Sequence, residues 1–385
     1  MPLVAIEVFA KDRTYAWDVV RGAEEFRRVT LFEAEDENTG GAAVAFALHA
    51  ALERERPGAV ALPGWSVPEA VASLAWAQGN SVPAILMADS QPQDRRIPFV
   101  EGVRRRVVSM CSAALVAGST HVEYTAGLGA ARERIFTGYD VVDNEYFQAG
   151  AERARQDTTW RARLGLPARF FLASCRFIWE KNLLRLLQAY ARYRASSGDP
   201  WGLVLLGDGP LRAEVEGAIR RLGLEKSVLA PGFMQYGVLP AYYGLAGAVI
   251  QASVNDTWGL TVNEAMAAGL PVLVSKRCGC VRDLVEEGRN GFTFDPYKVE
   301  ELSGLMLRLA SLPETERGAM GGAGQEIISR WTPERFAENL EKAVEAAMAA
   351  PRPSVSVVDR ALLWLLIRRS GWGLGNRGRR AGNGE

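Results

Sequence analysis

The chain has few of the residues on which several common chemistries depend. Among 385 residues there are two histidines, His49 and His121, so a histidine-based metal centre or acid/base pair has little to draw on. The four cysteines, Cys111, Cys175, Cys278 and Cys280, form no paired framework, and they read as reduced thiols in or near cores. Cys278 and Cys280 could ligate or cross-link, but with one glycine between them a mutual disulfide is awkward. No apolar run approaches the roughly 20 residues of a membrane span, and Glu7 interrupts Leu3 to Phe9, where a leader would be uniformly apolar. Lysine plus arginine and aspartate plus glutamate both number 45, and this balance argues against nucleic acid as a main partner. What remains is an ordinary soluble composition, expected in the cytoplasm and too long for one comfortable core.

Short apolar runs alternate with longer helical patterns, a rhythm that predicts an α/β protein with two parallel sheets wrapped by helices. Strands are expected at Leu3 to Val8, Val29 to Phe32, Ala59 to Leu62, Ala84 to Met87, Ala113 to Val116 and Arg134 to Thr137. A second series runs Phe170 to Ala173, Leu203 to Leu206, Val228 to Ala230, Val249 to Ala252 and Val272 to Ser275. The polar, arginine-rich segment Asn144 to Pro167 marks the junction, which gives domains at 1–155 and 156–328. A helix follows within 329–350, with Phe336, Leu340, Val344 and Met348 along one face. Residues 351–385 form a basic tail.

The most informative segment is Asp256-Thr-Trp-Gly-Leu-Thr-Val-Asn-Glu264-Ala-Met-Ala-Ala-Gly269-Leu-Pro271. Apolar, β-branched runs on either side make Gly259 to Ala268 a crossover helix between parallel strands. A helix opening there leaves the backbone N–H groups of Gly259, Leu260 and Thr261 unpaired at the sheet's carboxyl edge, where a phosphate is the natural guest. Two carboxylates flanking an anion site would repel the anion, so Asp256 and Glu264 are expected to accept hydrogen bonds from hydroxyl groups attached to it. The implied ligand is a sugar joined to a phosphate.

This segment resembles the signature of the retaining glycosyltransferases of family 4. There an acidic residue, seven others and a glutamate precede Ala-Met-Ala, a glycine and Pro-Val. The family usually opens on Glu-Pro-Phe-Gly, whereas this chain has Asp256-Thr-Trp-Gly, with a side chain one methylene shorter. The Gly-Gly common after the following strand is replaced by Cys278-Gly279-Cys280. The resemblance implies the GT-B fold, two Rossmann-like domains facing across a cleft, with the last helix crossing back to the first domain.

Other segments fall in the family's order. Arg176 and Lys181 follow an expected strand and match in order and spacing the cations that hold the donor diphosphate. Alone, such a pair would read as solvated surface charge. Gly207-Asp-Gly209-Pro ends another strand with glycines that permit a tight turn and close approach of backbone to ligand. Phe233 and Met234 stand at the position for nucleotide-base contact. The family's glycine-rich turn after the first strand is missing, since Phe9-Ala-Lys-Asp-Arg-Thr stands there.

On the acceptor side the candidates are Asp89 and Ser90, His121, and Tyr139, each at the expected carboxyl end of a strand. Plainer readings stand beside these: Ser119 or Thr120 as a helix cap, Asp89 pairing with Arg95 or Arg96, and His121 as a structural histidine.

The activity implied is transfer of a sugar, with retention, from a nucleotide diphosphate sugar to a carbohydrate or lipid-linked acceptor in polysaccharide or glycoconjugate assembly. No cofactor beyond that co-substrate is implied. No metal is either, because Arg176 and Lys181 stand where a divalent ion would sit and there is no Asp-x-Asp motif. An epimerase or a non-catalytic nucleotide-sugar binder would share the architecture. In the tail, Ala361-Leu-Leu-Trp-Leu-Leu-Ile367 runs into Arg368 and Arg369, a composition that suits an anionic membrane surface or docking on the first domain.

Overall fold

The computed structural model describes residues 2–11, 26–34, 40–92 and 98–368. The turn after the first strand from residue 12 on, the Asp89 partners Arg95 and Arg96, and tail residues 369–385 lie outside the described residues. The chain divides into two units, residues 1–139 with 337–385, and residues 140–336.

The first unit holds β1 (Val4–Phe9), β2 (Arg27–Phe32), β3 (Val60–Pro63), β4 (Ala84–Ala88), β5 (Ala113–Val116) and β6 (Ile135–Thr137). All their pairings are parallel, but they form two sheets, β1-β2 and β3-β4-β5-β6. The two sheets differ in burial at their strands. β5 is buried along its whole length, as a central strand covered on both faces requires, whereas β1 and β2 carry Glu7, Arg27, Arg28 and Thr30 and are at most half-buried. The helix Pro333–Ala349 starts in the second unit and ends in the first, where Ala343, Val344 and Ala347 pack on Ile85 and Ala113. There the Asn339 side chain donates to the Thr137 carbonyl at 2.9 Å.

The second unit holds β7 (Phe170–Ser174), β8 (Gly202–Leu206), β9 (Val228–Gly232), β10 (Ala248–Gln251), β11 (Val272–Ser275) and β12 (Gly291–Phe294). They form one parallel sheet in the order β12-β11-β10-β7-β8-β9. The chain thus builds outward from β7 through β8 and β9, then returns to the other side of β7 and builds outward again. Ligands bind at such a reversal of strand order, in the crevice beyond the strands' carboxyl ends. β12 was not foreseen, because Gly-Phe-Thr-Phe is four residues long and opens on a glycine.

The second core is unusually rich in large rings. Phe171, Tyr190, Tyr193 and Trp201 are all buried, and the tyrosine hydroxyls are satisfied by main chain. Tyr190 donates to the carbonyls of Trp201 and Ser227 at 2.9 and 3.0 Å, and Tyr193 accepts from the Trp201 N–H at 2.8 Å. Satisfied in this way, the phenols keep their hydrophobic contribution without an orphaned polar atom.

Candidate active site

At the reversal point, the loops after β7 and β10 are tied together by main chain and side chain. Val254 N–H donates to the Glu180 carbonyl at 2.8 Å. The buried amide of Asn182 donates to the carbonyls of Ala252 and Pro296 at 3.1 and 2.9 Å. Asn182 takes a left-handed φ of 58°, which asparagine tolerates better than most residues. These ties bring Lys181 Nζ to 2.6 Å from Asp256 Oδ2.

The same carboxylate oxygen also accepts from Gln251 Nε2 at 2.5 Å and Ser253 Oγ at 3.0 Å. Burial disfavours the Lys181 ammonium, but the Asp256 charge and hydrogen bond outweigh it, and the Lys181 pKa is raised. The site therefore presents a fixed cation and a fixed anion side by side. Gln251, at the end of β10, also takes a hydrogen bond from Thr261 Oγ1 on its Oε1 at 3.4 Å and so links Asp256 to the first turn of the next helix.

The turn after β8 packs against the loop that carries Arg176. Cys175 N–H donates to the Leu206 carbonyl at 2.9 Å and Phe177 N–H to the Asp208 carbonyl at 2.8 Å, which clamps the backbone on either side of Arg176. The glycines are required for this contact. A Cβ on Gly207 would stand 1.9 Å from the Cys175 carbonyl oxygen, and one on Gly209 2.7 Å from that of Phe177. Their φ values of 122° and 156° disfavour side chains as well. Gly207 N–H in turn donates to the Gly232 carbonyl at 2.9 Å, which sets half-buried Phe233 and Met234 beside this turn.

The crossover helix spans Leu260–Ala267, one residue later than expected at its start, with Gly259 before it at a left-handed φ of 107°. Glu264 lies one turn in and accepts a short hydrogen bond from the buried hydroxyl of Tyr243, on the helix Leu239–Leu245. Burial pushes Glu264 up to about 7, although the Tyr243 hydrogen bond pulls the other way. Tyr243 packs edge-on against Phe147 with ring centroids 5.6 Å apart. Trp258 Nε1 donates to Asn263 Oδ1 at 2.9 Å, and Asn263 Nδ2 donates to the Asp140 carbonyl at 3.1 Å. The Trp258 ring lies 5.0 Å from that of Trp331.

All four cysteines are free thiols, and burial pushes Cys175 up to about 12 and raises Cys278 and Cys280 as well. No group of histidine, cysteine or acidic side chains suited to a metal occurs among the described residues.

In the first unit the other candidates share one edge, because β4, β5 and β6 are neighbours. Asp89 and Ser90 follow β4 and are half-buried. Tyr139 follows β6, its N–H donating to the Val116 carbonyl at 3.2 Å. His121 is fully buried in the helix Ser119–Gly127, and its Nδ1 accepts from Gly118 N–H at 3.2 Å, so the ring holds the turn that starts this helix.

A cavity of about 1060 Å³ lies elsewhere, at the amino edge of β7, β10 and β11, and none of the candidates lines it. Three of its four arginines have another task. Arg155, Arg161 and Arg317 donate to the carbonyls of Ala268, Pro167 and Leu312. Ala268 and Leu312 close helices, whose carbonyl ends favour cations.

Residues 156–326 match the model for the family described as Glycosyl transferases group 1. Over this segment the chain is similar to the group 1 glycosyl transferases. The alpha-monoglucosyldiacylglycerol synthase of Acholeplasma laidlawii is 30% identical over 171 residues, 44% of this chain and 42% of that protein. The alpha-D-kanosaminyltransferase of Streptomyces kanamyceticus is 28% identical over 183 residues, 47% of this chain and 46% of that protein. The chain thus matches somewhat less than half the length of these relatives.

Among solved structures, the sucrose-phosphate synthase of Thermosynechococcus elongatus superposes with a TM-score of 0.70 at 18% identity, covering 90% of this chain and 89% of that one. Anabaena HepE, in complex with UDP and glucose, gives 0.68 at 17% identity, covering 83% and 86%. At such identities the likeness is one of fold: parallel α/β sheets in two units, as in GT-B glycosyltransferases.

Within the segment that matches the group 1 glycosyl transferase model, sequence reasoning missed Gln251, Ser253, Tyr243 and Asn182. Gln251 left a trace: it is the one polar residue in Ala248-Val-Ile-Gln251, at a strand's carboxyl end. Tyr243 left none, because a tyrosine in an apolar helix reads as core until its hydroxyl is seen on Glu264.

Proposed function

We propose that the chain transfers a sugar, with retention, from a nucleotide diphosphate sugar to a carbohydrate or lipid-linked acceptor. The observation that carries this reading is the convergence of Lys181, Asp256 and the Gly207–Gly209 turn on one sheet edge, with Glu264 on the helix that opens there. Arg176, Lys181 and the amides at Gly259, Leu260 and Thr261 would face the diphosphate, and Phe233 and Met234 the base. As the bond from the anomeric carbon to the diphosphate breaks, negative charge grows on the leaving oxygens, and fixed cations stabilise it more than they stabilise the ground state.

Asp256 and Glu264 would accept hydrogen bonds from donor hydroxyls. Lys181, Gln251 and Ser253 hold the Asp256 carboxylate in place for this through Oδ2. In the retaining step the acceptor oxygen bonds to the anomeric carbon on the face the diphosphate leaves, and the acceptor proton passes to the departing phosphate. Lys181 and Arg176 supply the positive charge that a divalent ion would otherwise provide, so transfer should persist in a chelator. Asp89, Ser90, His121 and Tyr139 are proposed for the acceptor side, with His121 acting through the turn it holds.

The test is to incubate the protein with a panel of nucleotide diphosphate sugars and acceptors, following nucleotide release and product anomer. Lys181→Ala should lower kcat by about 10²–10³-fold, the usual effect of removing a group that stabilises developing charge, and Glu264→Ala should abolish transfer by removing the acceptor of the donor hydroxyls. Full activity in either variant would remove the assignment. Interconversion of the donor without transfer would mark an epimerase, and binding without turnover a nucleotide-sugar binder.

A further inference from the structure

We propose that the outer face of the helix Val357–Arg368 docks on an anionic phospholipid surface. This goes beyond glycosyl transfer and does not depend on it. The helix has two apolar faces, and the core uses only one. Leu363 and Leu366 are buried in the first unit's core with residues of the helices Gly41–Glu55 and Pro68–Gly79. On the other face Val357, Val358, Trp364 and Leu365 are 82%, 65%, 52% and 51% exposed. Their spacing of i, i+1, i+7 and i+8, with exposed Ala361 between, makes one continuous stripe. A cluster of apolar side chains left in water marks a surface that meets something.

Charge identifies the partner. The only acid on this helix, Asp359, is buried and bound to Arg106 at 3.2 Å and to Ser356. The basic residues face out: Arg360 and Arg368 are exposed, and the Arg368 guanidinium lies 4.0 Å from the Trp364 ring centroid. The chain as a whole has no net charge, yet residues 351–385 hold seven arginines against Asp359 and Glu385. An apolar stripe edged by arginines, with a tryptophan whose ring suits the boundary of headgroup and acyl chain, fits a sheet of anionic lipid. At 12 residues the helix is about 18 Å long, too short to cross a bilayer, so it would lie in the plane of the surface.

The full chain should sediment with vesicles containing phosphatidylglycerol, less with phosphatidylcholine alone, and less again at high salt. The double variant Trp364→Glu, Leu365→Glu should lower partitioning at least tenfold with the thermal unfolding curve unchanged, since neither side chain is in the core. Arg360→Gln and Arg368→Gln should each lower it by about fivefold, the worth of one basic residue at an anionic surface. Three results would overturn the proposal. One is undiminished binding by the glutamate variant. Another is binding that vanishes when residues 369–385 are removed while the glutamate variant retains it. The third is self-association of the chain through this face without vesicle binding. None of these assays contains donor or acceptor, so failure here leaves the transferase reading standing, and the reverse also holds.

Discussion

At the carboxyl edge of β7 to β12 the loops hold one another, whereas at that of β4 to β6 the ties are mainly to each loop's own strand neighbours. In the second unit Lys181, Gln251 and Ser253 share one oxygen of Asp256, and Gly207 fits against Cys175 with no room for a methyl group. In the first unit Gly138 and Tyr139 donate to Ala117 and Val116, and His121 secures its own helix turn. The first arrangement suits a ligand whose charge and shape are fixed, because preorganised groups need not move as charge develops. The second fixes the backbone of each loop to the strand beside it.

The largest effect should separate two glycines, one from each edge. Gly207→Ala places a Cβ on the Cys175 carbonyl at a φ of 122° and should cost about 2–4 kcal/mol of stability, with loss of transfer, because the Arg176 loop must shift. Gly138→Ala has a similar φ of 93° but its nearest neighbour is the Asn339 amide at 3.7 Å, so only the backbone strain of about 1–2 kcal/mol applies. Urea unfolding of the two variants measures the gap, and equal midpoints would erase the distinction between the edges.

Next in size is the coupling of Gln251 to Asp256. Asp256→Glu adds a methylene to a carboxylate that already has Gln251 at 2.5 Å, so kcat should fall by about tenfold. Gln251→Ala frees space, and the double variant should recover most of the loss, a coupling of about 1–2 kcal/mol. Strictly additive losses would show that Gln251 does not position the acid.

The pH response of Glu264 should be comparable or smaller. Its pKa is raised from 4.5 to about 7, so the charged form is disfavoured in the fold, and stability should fall as pH rises from 4.5 to about 7. Donor binding needs the carboxylate as an acceptor, so the donor KM should drop as pH rises from 6 to 8, while Glu264→Gln should be flat over that range. Tyr243→Phe removes a hydrogen bond that lowers the Glu264 pKa and should move the midpoint to higher pH. The smallest effect is expected on the acceptor side. Asp89→Asn should change acceptor KM by less than about tenfold and leave donor hydrolysis unaltered, the signature of an interaction outside the donor step.

Much of this was readable in the chain. Val272 to Ser275 and Ala113 to Val116 declared themselves as buried parallel strands, because a strand covered on both faces must be apolar throughout. The spacing of Asp256 and Glu264 placed both acids at the opening of one helix. The pairing of Asp256 with Lys181, 75 positions away, carried no local signal, and neither did that of Tyr243 with Glu264. The reading of Gly207 and Gly209 as approach points for a ligand missed that they first make room for the neighbouring loop.

The sequence determined the class of each element and the order of the motifs, since both depend on periodicities and turn residues that act over a few positions. The three-dimensional fold decided which side chains share an oxygen, which hydroxyl raises or lowers an acid, and which face of the last described helix stays in water. Those outcomes depend on distances between strands that are neighbours in the sheet but far apart along the chain, and a one-dimensional pattern does not contain them.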